Sequence, residues 1–263
     1  SKGGNTWGLQ IAWDNEVFWT QPTSGDLLMH TVMSEEQLSR GKLPGTPSFV
    51  VCEKSVKTFP LIPYDQLPYV QIDWVGFFTA AAGCAIYDGG TWPAEYNGDY
   101  FTTEPTINII HHARLTPQGS SYTFHKLPGR EETEFVRSKD MWWRPIEARV
   151  GPDGALYVSL NLASSGAGVF KEIRGAWSEI GKATREQLTA GKTGAAGRMY
   201  SRVPYRGCVM RLADDGRGPA ELYATGFRSP DGIGFDAAGR LLVNDNQGDW
   251  RGSSPLQVVT KGS

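Results

Sequence analysis

The sequence predicts an all-β fold, a β-propeller of four-stranded antiparallel blades. Three observations carry that prediction. One strand–turn–strand unit recurs four times along the chain. Its turns are rich in Asp, Asn and Gly, the residues that close tight reversals between strands. The 263 residues include 32 Gly, 16 Pro, 9 Trp and 10 Tyr, the composition of a large turn-rich β domain. A single small twisted sheet cannot bury both of its faces, but stacking on neighbours does so. A sandwich of similar strands is the alternative, and the recurring unit favours the propeller.

Aligned on the strand that follows each turn, the copies are residues 15–20, 98–103, 154–159 and 239–244. Their third and fourth positions are large and apolar: Val17 and Phe18, Tyr100 and Phe101, Leu156 and Tyr157, Leu241 and Leu242. Each has an earlier strand before its turn, at 7–13, 83–87, 145–150 and 232–235. Each also has a later one, at 27–33, 107–115, 208–212 and 256–259. Outer strands are readable at 48–52, 122–127 and 221–224. Glycines in the first strands suit a crowded central position, where backbones approach closely. The single domain 1–263 thus divides into blades at about 1–53, 83–127, 144–225 and 228–263. Four blades lie at the low end of the usual range of about four to eight, and the last copy lacks an outer strand. The reading favours a longer chain with a larger ring.

Two insertions interrupt the units. Residues 54–82 carry six aromatic residues among several prolines, and form a long loop expected over a blade edge or the mouth of the ring. Residues 163–206 include an expected helix at 176–190, with Ile180 and Leu188 as a thin apolar stripe. Basic residues outnumber acidic ones there, so this segment is either a solvated loop, which is favoured, or a contact for an acidic protein partner or an anionic ligand.

Several function classes are excluded or disfavoured. A net charge of −2 argues against nucleic acid as the main partner. No apolar run reaches the roughly 20 residues of a membrane span. Cys52, Cys84 and Cys208 are far apart and form no CxxC or CxxCH motif, so local zinc or haem attachment is not expected. Buried free thiols are favoured over one disulfide. The chain starts at Ser1 without a signal peptide, as processed chains do.

Antiparallel order turns the repeat into a site. The loop entering the first strand and the loop leaving the second lie on one face of the propeller. That face gathers Arg144 and Arg228 on entry. On exit it gathers Gln21, Glu104, Asn161 and the run Asp245, Asn246, Gln247 and Asp249. Arginine suits a carboxylate or phosphate clamp. Arg144, Arg228, Asn161, Asn246 and Gln247 are therefore candidates for holding a small polar ligand or cofactor. Asp245, Asp249 and Glu104 are candidates for a hard cation such as calcium. Glu147 and Asp231 are the candidate catalytic acid–base groups. Of the four histidines, His111 and His112 are strand neighbours pointing to opposite faces. A structural role is expected for them, and none lies on the ligand face.

At these residues the chain resembles a known family. Residues 223–232 and 244–250, with 144–158 and 95–101 as further copies, resemble the sorbosone/glucose dehydrogenase-like β-propellers. The closer likeness is to their bacterial branch of membrane-bound dehydrogenase and haem-binding propeller proteins. The resemblance implies oxidation of sugars or aldehydes with pyrroloquinoline quinone and calcium, in the periplasm or outside the cell. It implies a cofactor-facing arginine at Arg228. The residue after it is Ser229, where the family usually has Asn. The family's catalytic histidine has no counterpart in 144–150, and the haem motif of the bacterial branch is absent. Two other functions stay open: a non-catalytic scaffold or binding subunit of a periplasmic assembly, and a metal-dependent lactonase-type hydrolase.

Overall fold

The structure is a computed structural model that describes residues 6–22, 26–66, 75–140, 143–161, 207–213, 217–227, 229–246 and 253–263. The expected helix at 176–190 and the rest of the basic insertion lie outside the described residues. The propeller prediction holds, with each sheet antiparallel and made of strands in sequence order. Blade 1 consists of β1 (Leu9–Ile11), β2 (Val17–Thr20), β3 (Leu28–Thr31) and β4 (Phe49–Glu53). Blade 2 consists of β5 (Cys84–Ile86), β6 (Tyr100–Glu104), β7 (Ile109–Gln118) and β8 (Ser121–His125), with the short β9 (Val136–Arg137) also paired to β7. Blade 3 consists of β10 (Pro145–Val150), β11 (Leu156–Leu160), β12 (Cys208–Leu212) and β13 (Glu221–Thr225). Blade 4 has β14 (Pro230–Phe235), β15 (Leu241–Asp245) and β16 (Leu256–Val259).

The first strands line the centre, with β1 packed on β5, β5 on β10 and β10 on β14. The blades share one orientation. At their turn ends, the Tyr87 hydroxyl of blade 2 donates to the Gly154 carbonyl of blade 3 at 2.8 Å. An added Cβ on Gly239 of blade 4 would lie 3.3 Å from Pro152 of blade 3. Three apolar layers fill the seams. Phe18, Leu27, Leu28 and Phe78 meet Cys84, Tyr100 and Ile109 between blades 1 and 2. Phe101 and Ile110 meet Leu156 and Val158 between blades 2 and 3. Tyr157 and Val209 meet Ile233 and Val243 between blades 3 and 4. Each strand therefore buries both alternating side-chain sets wherever it has a blade on either side.

The two ends of the arc differ from its middle. On and beside β1, Trp7, Leu9, Ile11 and Trp13 are more than half exposed, Trp13 at 76%. On blade 4, Leu256 and Val258 are exposed, and Gly234 on the same face has nothing near it.

Two further features sit beside this scaffold. A short helix, α1 (Glu35–Arg40), joins β3 to β4. The sequence reading missed it, although Ser34 and Gln37 form a capping box at its start. That pair satisfies two otherwise orphaned backbone donors. The described parts of the 54–82 insertion are packed between blades 1 and 2. The Ala81 N–H donates to Pro22, Phe59 N–H donates to Glu134, and the Phe78 ring lies edge-on to His111.

Candidate functional site

The site is built on the ends of four equivalent hairpins. Thr20 pairs with Gly8, Thr103 with Gly83, Ser159 with Glu147 and Asn244 with Gly232. The hydroxyls at this position bond back to the first strand: Gly8 N–H donates to Thr20 Oγ1 at 3.1 Å and Glu147 N–H donates to Ser159 Oγ at 3.2 Å. Thr103 Oγ1 donates to the Gly83 carbonyl at 3.2 Å. The same hydroxyls tie one blade to the next. Thr20 Oγ1 donates to Ala82 at 2.7 Å, and Thr103 Oγ1 donates to Ile146 at 2.7 Å.

Three of the four inner positions are thus glycine, and the third blade has Glu147. The reason for the glycines is visible at two of them. A Cβ on Gly8 would collide with the Ala82 carbonyl, and one on Gly83 with Glu147 Oε1. Only a residue without a side chain fits against the following blade there. Gly83 also makes the hollow that the Glu147 side chain occupies.

Glu147 is 5% exposed. Burial pushes its carboxyl up to about 7, even though Arg149 and the Ala148 N–H work in the other direction. Its Oε1 accepts from Arg149 Nη1 at 3.0 Å and from Ala148 N–H at 3.0 Å. The Arg149 guanidinium reaches further, donating to the Cys84 carbonyl at 2.6 Å and to the Leu9 carbonyl at 2.9 Å. It therefore grips the first strands of blades 1 and 2 from blade 3. Nothing in the sequence flagged Arg149, because its partners are backbone atoms far away in the chain.

Blades 3 and 4 extend beyond the equivalent hairpin ends of blades 1 and 2. Both strands bulge on the way, at Ile146 between Pro145 and Glu147 and at Asp231 between Pro230 and Gly232. Such bulges re-aim side chains at the rims of sheets. Past them, the Asn161 N–H donates to the Arg144 carbonyl at 3.0 Å, and the Asn246 N–H donates to the Ser229 carbonyl at 3.1 Å. Arg144 with Asn161, and Asn246 with Ser229, therefore lie at the same end of neighbouring blades. Asp245 is 5% exposed and its Oδ1 accepts from Ser229 N–H at 2.7 Å and Asn246 N–H at 3.0 Å. Asp231 Oδ1 accepts from Ser229 Oγ at 2.9 Å. Arg228, Gln247 and Asp249 lie outside the described residues.

Glu104 lies at the same end of blade 2, and is fully buried. Its Oε2 accepts from the N–H groups of Thr79 at 3.0 Å and Ala80 at 2.7 Å, and its Oε1 from Thr106 at 2.9 Å. Burial raises this carboxyl to about 7 against those three bonds. It fastens the returning end of the 54–82 insertion to β6. Among the described residues no three His, Cys, Asp or Glu side chains come together as a metal site.

The histidines divide as their strand positions require. His111 faces blade 1 and His112 faces the opposite seam, where its Nε2 meets Asp99 Oδ2 at 2.9 Å. His30 is buried between Glu16 and Ser121. Cys52, Cys84 and Cys208 are all buried thiols rather than disulfide partners.

The profile of one family, described as a domain of unknown function (DUF7133), matches residues 1–160. No curated protein matches the chain. Among solved structures, the chain is similar to a Thermus thermophilus protein described as an oxidoreductase (glucose dehydrogenase), at 14% identity and a TM-score of 0.51, covering 99% of this chain and 64% of that one. It is also similar to the PQQ-bound aldose sugar dehydrogenase from Streptomyces coelicolor, at 13% identity and a TM-score of 0.49, covering 98% of this chain and 60% of that one. A third match is the PQQ domain of pyranose dehydrogenase from Coprinopsis cinerea, at 11% identity and a TM-score of 0.45, covering 97% of this chain and 48% of that one. At these identities the likeness is one of fold, that of a β-propeller. The chain spans less than two thirds of each structure's length.

Proposed function

The chain belongs to the DUF7133 family, and from that starting point we propose that it is a quinoprotein-type propeller that oxidises a sugar or aldehyde at its loop face. The observation that carries this reading is Glu147. It is the one carboxylate in an inner ring of positions otherwise held by glycine, and burial raises it to about 7, which makes its ionised form a stronger base than an ordinary carboxylate at neutral pH.

The residues at this face suit an anionic quinone. The guanidinium of Arg144 and the amides of Asn161 and Asn246 are donors of the kind that hold carboxylates. Arg228 and Gln247 are proposed to complete the set. A calcium ion would draw on Asp245 and Asp249; Glu104, whose oxygens are engaged by backbone N–H groups, serves better as a structural tie. When bound, the quinone supplies the acceptor for a hydride. The chain's own part is to orient the substrate hydroxyl, exclude water and take its proton on a Glu147 oxygen, a role that no histidine among the described residues of this face is placed to fill. Asp231, on the equivalent bulge of blade 4, is proposed to position the substrate. The family resemblance points to the periplasm or the outside of the cell for this chemistry.

Titration with pyrroloquinoline quinone and calcium, followed by cofactor absorbance and by dye-linked oxidation of glucose, tests the reading. Quinone binding is expected in both the parent and Glu147→Gln, with turnover in the variant lower by about 10²–10⁴-fold. Failure to bind the quinone, or turnover unchanged in Glu147→Gln, overturns it. The exposed apolar face of blade 1 favours one second reading, a scaffold propeller within a larger assembly. That reading gains if neither quinone nor substrate binds.

A further inference from the structure

His111 is a buried titratable group that the loop face does not use. It sits on β7 in the seam between blades 1 and 2 and is fully buried. Three parts of the chain meet on its ring. Nε2 lies 3.1 Å from Glu53 Oε1 at the end of β4, and Nδ1 lies 2.9 Å from Glu134 Oε2, just ahead of β9. The Phe78 ring, from the returning limb of the 54–82 insertion, packs edge-on against it. The outgoing limb is held through Glu134, whose Oε1 accepts from Phe59 N–H at 3.2 Å.

The two carboxylates are served unequally. Glu134 also accepts from the Lys126 ammonium, which donates to the Thr133 carbonyl as well. Glu53 has His111 alone, because its Oε2 is buried and hydrogen-bonds to nothing among the described residues. A neutral imidazole carries one N–H and can serve one carboxylate, whereas the imidazolium serves both. With the imidazolium the cluster balances two positive charges against two negative ones. Burial would lower the His111 pKa, but the Glu134 and Glu53 carboxylates outweigh it and raise the value. The other ionisable groups around the cluster do not supply the missing donor. Burial pushes up the Tyr100 hydroxyl and the Cys52 thiol beside Glu53. Tyr64 bonds to Thr58 inside the insertion, and His112 bonds to Asp99 in the opposite seam. Lys54, Lys57 and Glu131 are exposed.

We propose that His111 is a proton-operated latch, which holds β4 and the outgoing limb of the insertion against blade 2 while its ring is charged and frees them when its ring is neutral. Loss of the proton leaves a buried carboxylate without a donor, which is costly. Turning the Glu53 end of β4 out to water relieves that cost, and the insertion that starts at the next residue goes with it. The sign follows from the raised value. The latch is closed below the usual histidine value of about 6.5 and opens as pH rises through the higher folded-state value. It is independent of the chemistry proposed for the loop face.

Hydrogen exchange read by mass spectrometry on the full chain, corrected for the intrinsic pH dependence of exchange, tests this. Between pH 6 and pH 9, protection across residues 49–66 is expected to fall at least tenfold further than protection across β11 and β12. In Glu53→Gln, which leaves no carboxylate to strand, the extra fall should shrink to less than about threefold. The parent's histidine ring ¹⁵N spectrum serves if that variant does not fold: a doubly protonated buried ring should be present at pH 6 and disappear over the pH range in which protection is lost. Equal falls in both regions of the parent overturn the proposal. So does the parent's extra fall in a folded Glu53→Gln, or a doubly protonated ring that outlasts the loss of protection.

Discussion

Two buried carboxyls set the behaviour of single residues in this protein. Glu104 and Glu147 both titrate near 7 in the folded chain, against about 4.3 for an unperturbed glutamate. A folded state that holds a proton more tightly than the unfolded chain loses stability as pH rises between those two values. Each group is therefore expected to cost the fold on the order of 3 kcal/mol between about pH 4 and pH 8. Urea denaturation across that range should show the decline, and Glu104→Gln should flatten part of it. A Glu104→Gln variant with the parent's slope would rule that carboxyl out as a source. Catalysis should run the other way: turnover through Glu147 needs the ionised form, so it should rise through about pH 7. Both residues stood out in the sequence as acids on one loop face. Their difference did not, because it depends on which backbone N–H groups fold over each one.

At the scale of the element, glycine position matters more than glycine number. Gly83 and Gly234 both sit at first strands and look alike in the sequence. Gly83 is pressed against Glu147, whereas an added Cβ at Gly234 would meet nothing within 4 Å. Gly83→Ala is expected to destabilise by about 1–3 kcal/mol through overpacking, and Gly234→Ala to stay within about 0.5 kcal/mol. Thermal melts of the two variants decide this, and equal losses would mean that the seams are not where they are drawn. The strands themselves were largely legible. Those at 145–150, 208–212 and 256–259 have the expected bounds, because alternating apolar residues run between clear turns. The misses have physical causes. Helix α1 is six residues long, too short to show a periodicity, and only its capping box marks it. The two-residue β9 pairs with β7 from a distance that no local pattern encodes. The packing of the 54–82 insertion into a seam follows from contacts with Pro22, Glu104 and Glu134, again long-range.

For the whole molecule, the open ends of the arc are the dominant feature. Blade 1 presents Trp7, Leu9, Ile11 and Trp13, beside a groove of about 470 Å³ lined by Trp19 and Phe49. Contiguous apolar surface of this kind marks an interaction face or an aggregation liability. The chain on its own is expected to self-associate as its concentration rises, and Trp13→Lys should shift it toward monomer. Sedimentation velocity over a concentration series reads this directly; a parent chain that stays monomeric throughout would show that the face is not adhesive. The central alignment of the first strands was inferable from the repeat. The exposure of the end blades was not, since their side chains have the same apolar pattern as those that find a neighbour.

The guanidinium of Arg149 touches backbone carbonyls of two other blades as well as the carboxylate beside it. It works as a spoke, so that any shift of one wedge of the wheel is felt at the hub. If Glu147 takes up a proton as proposed, the pull on that spoke changes, and the change reaches the innermost strands of blades 1 and 2 directly.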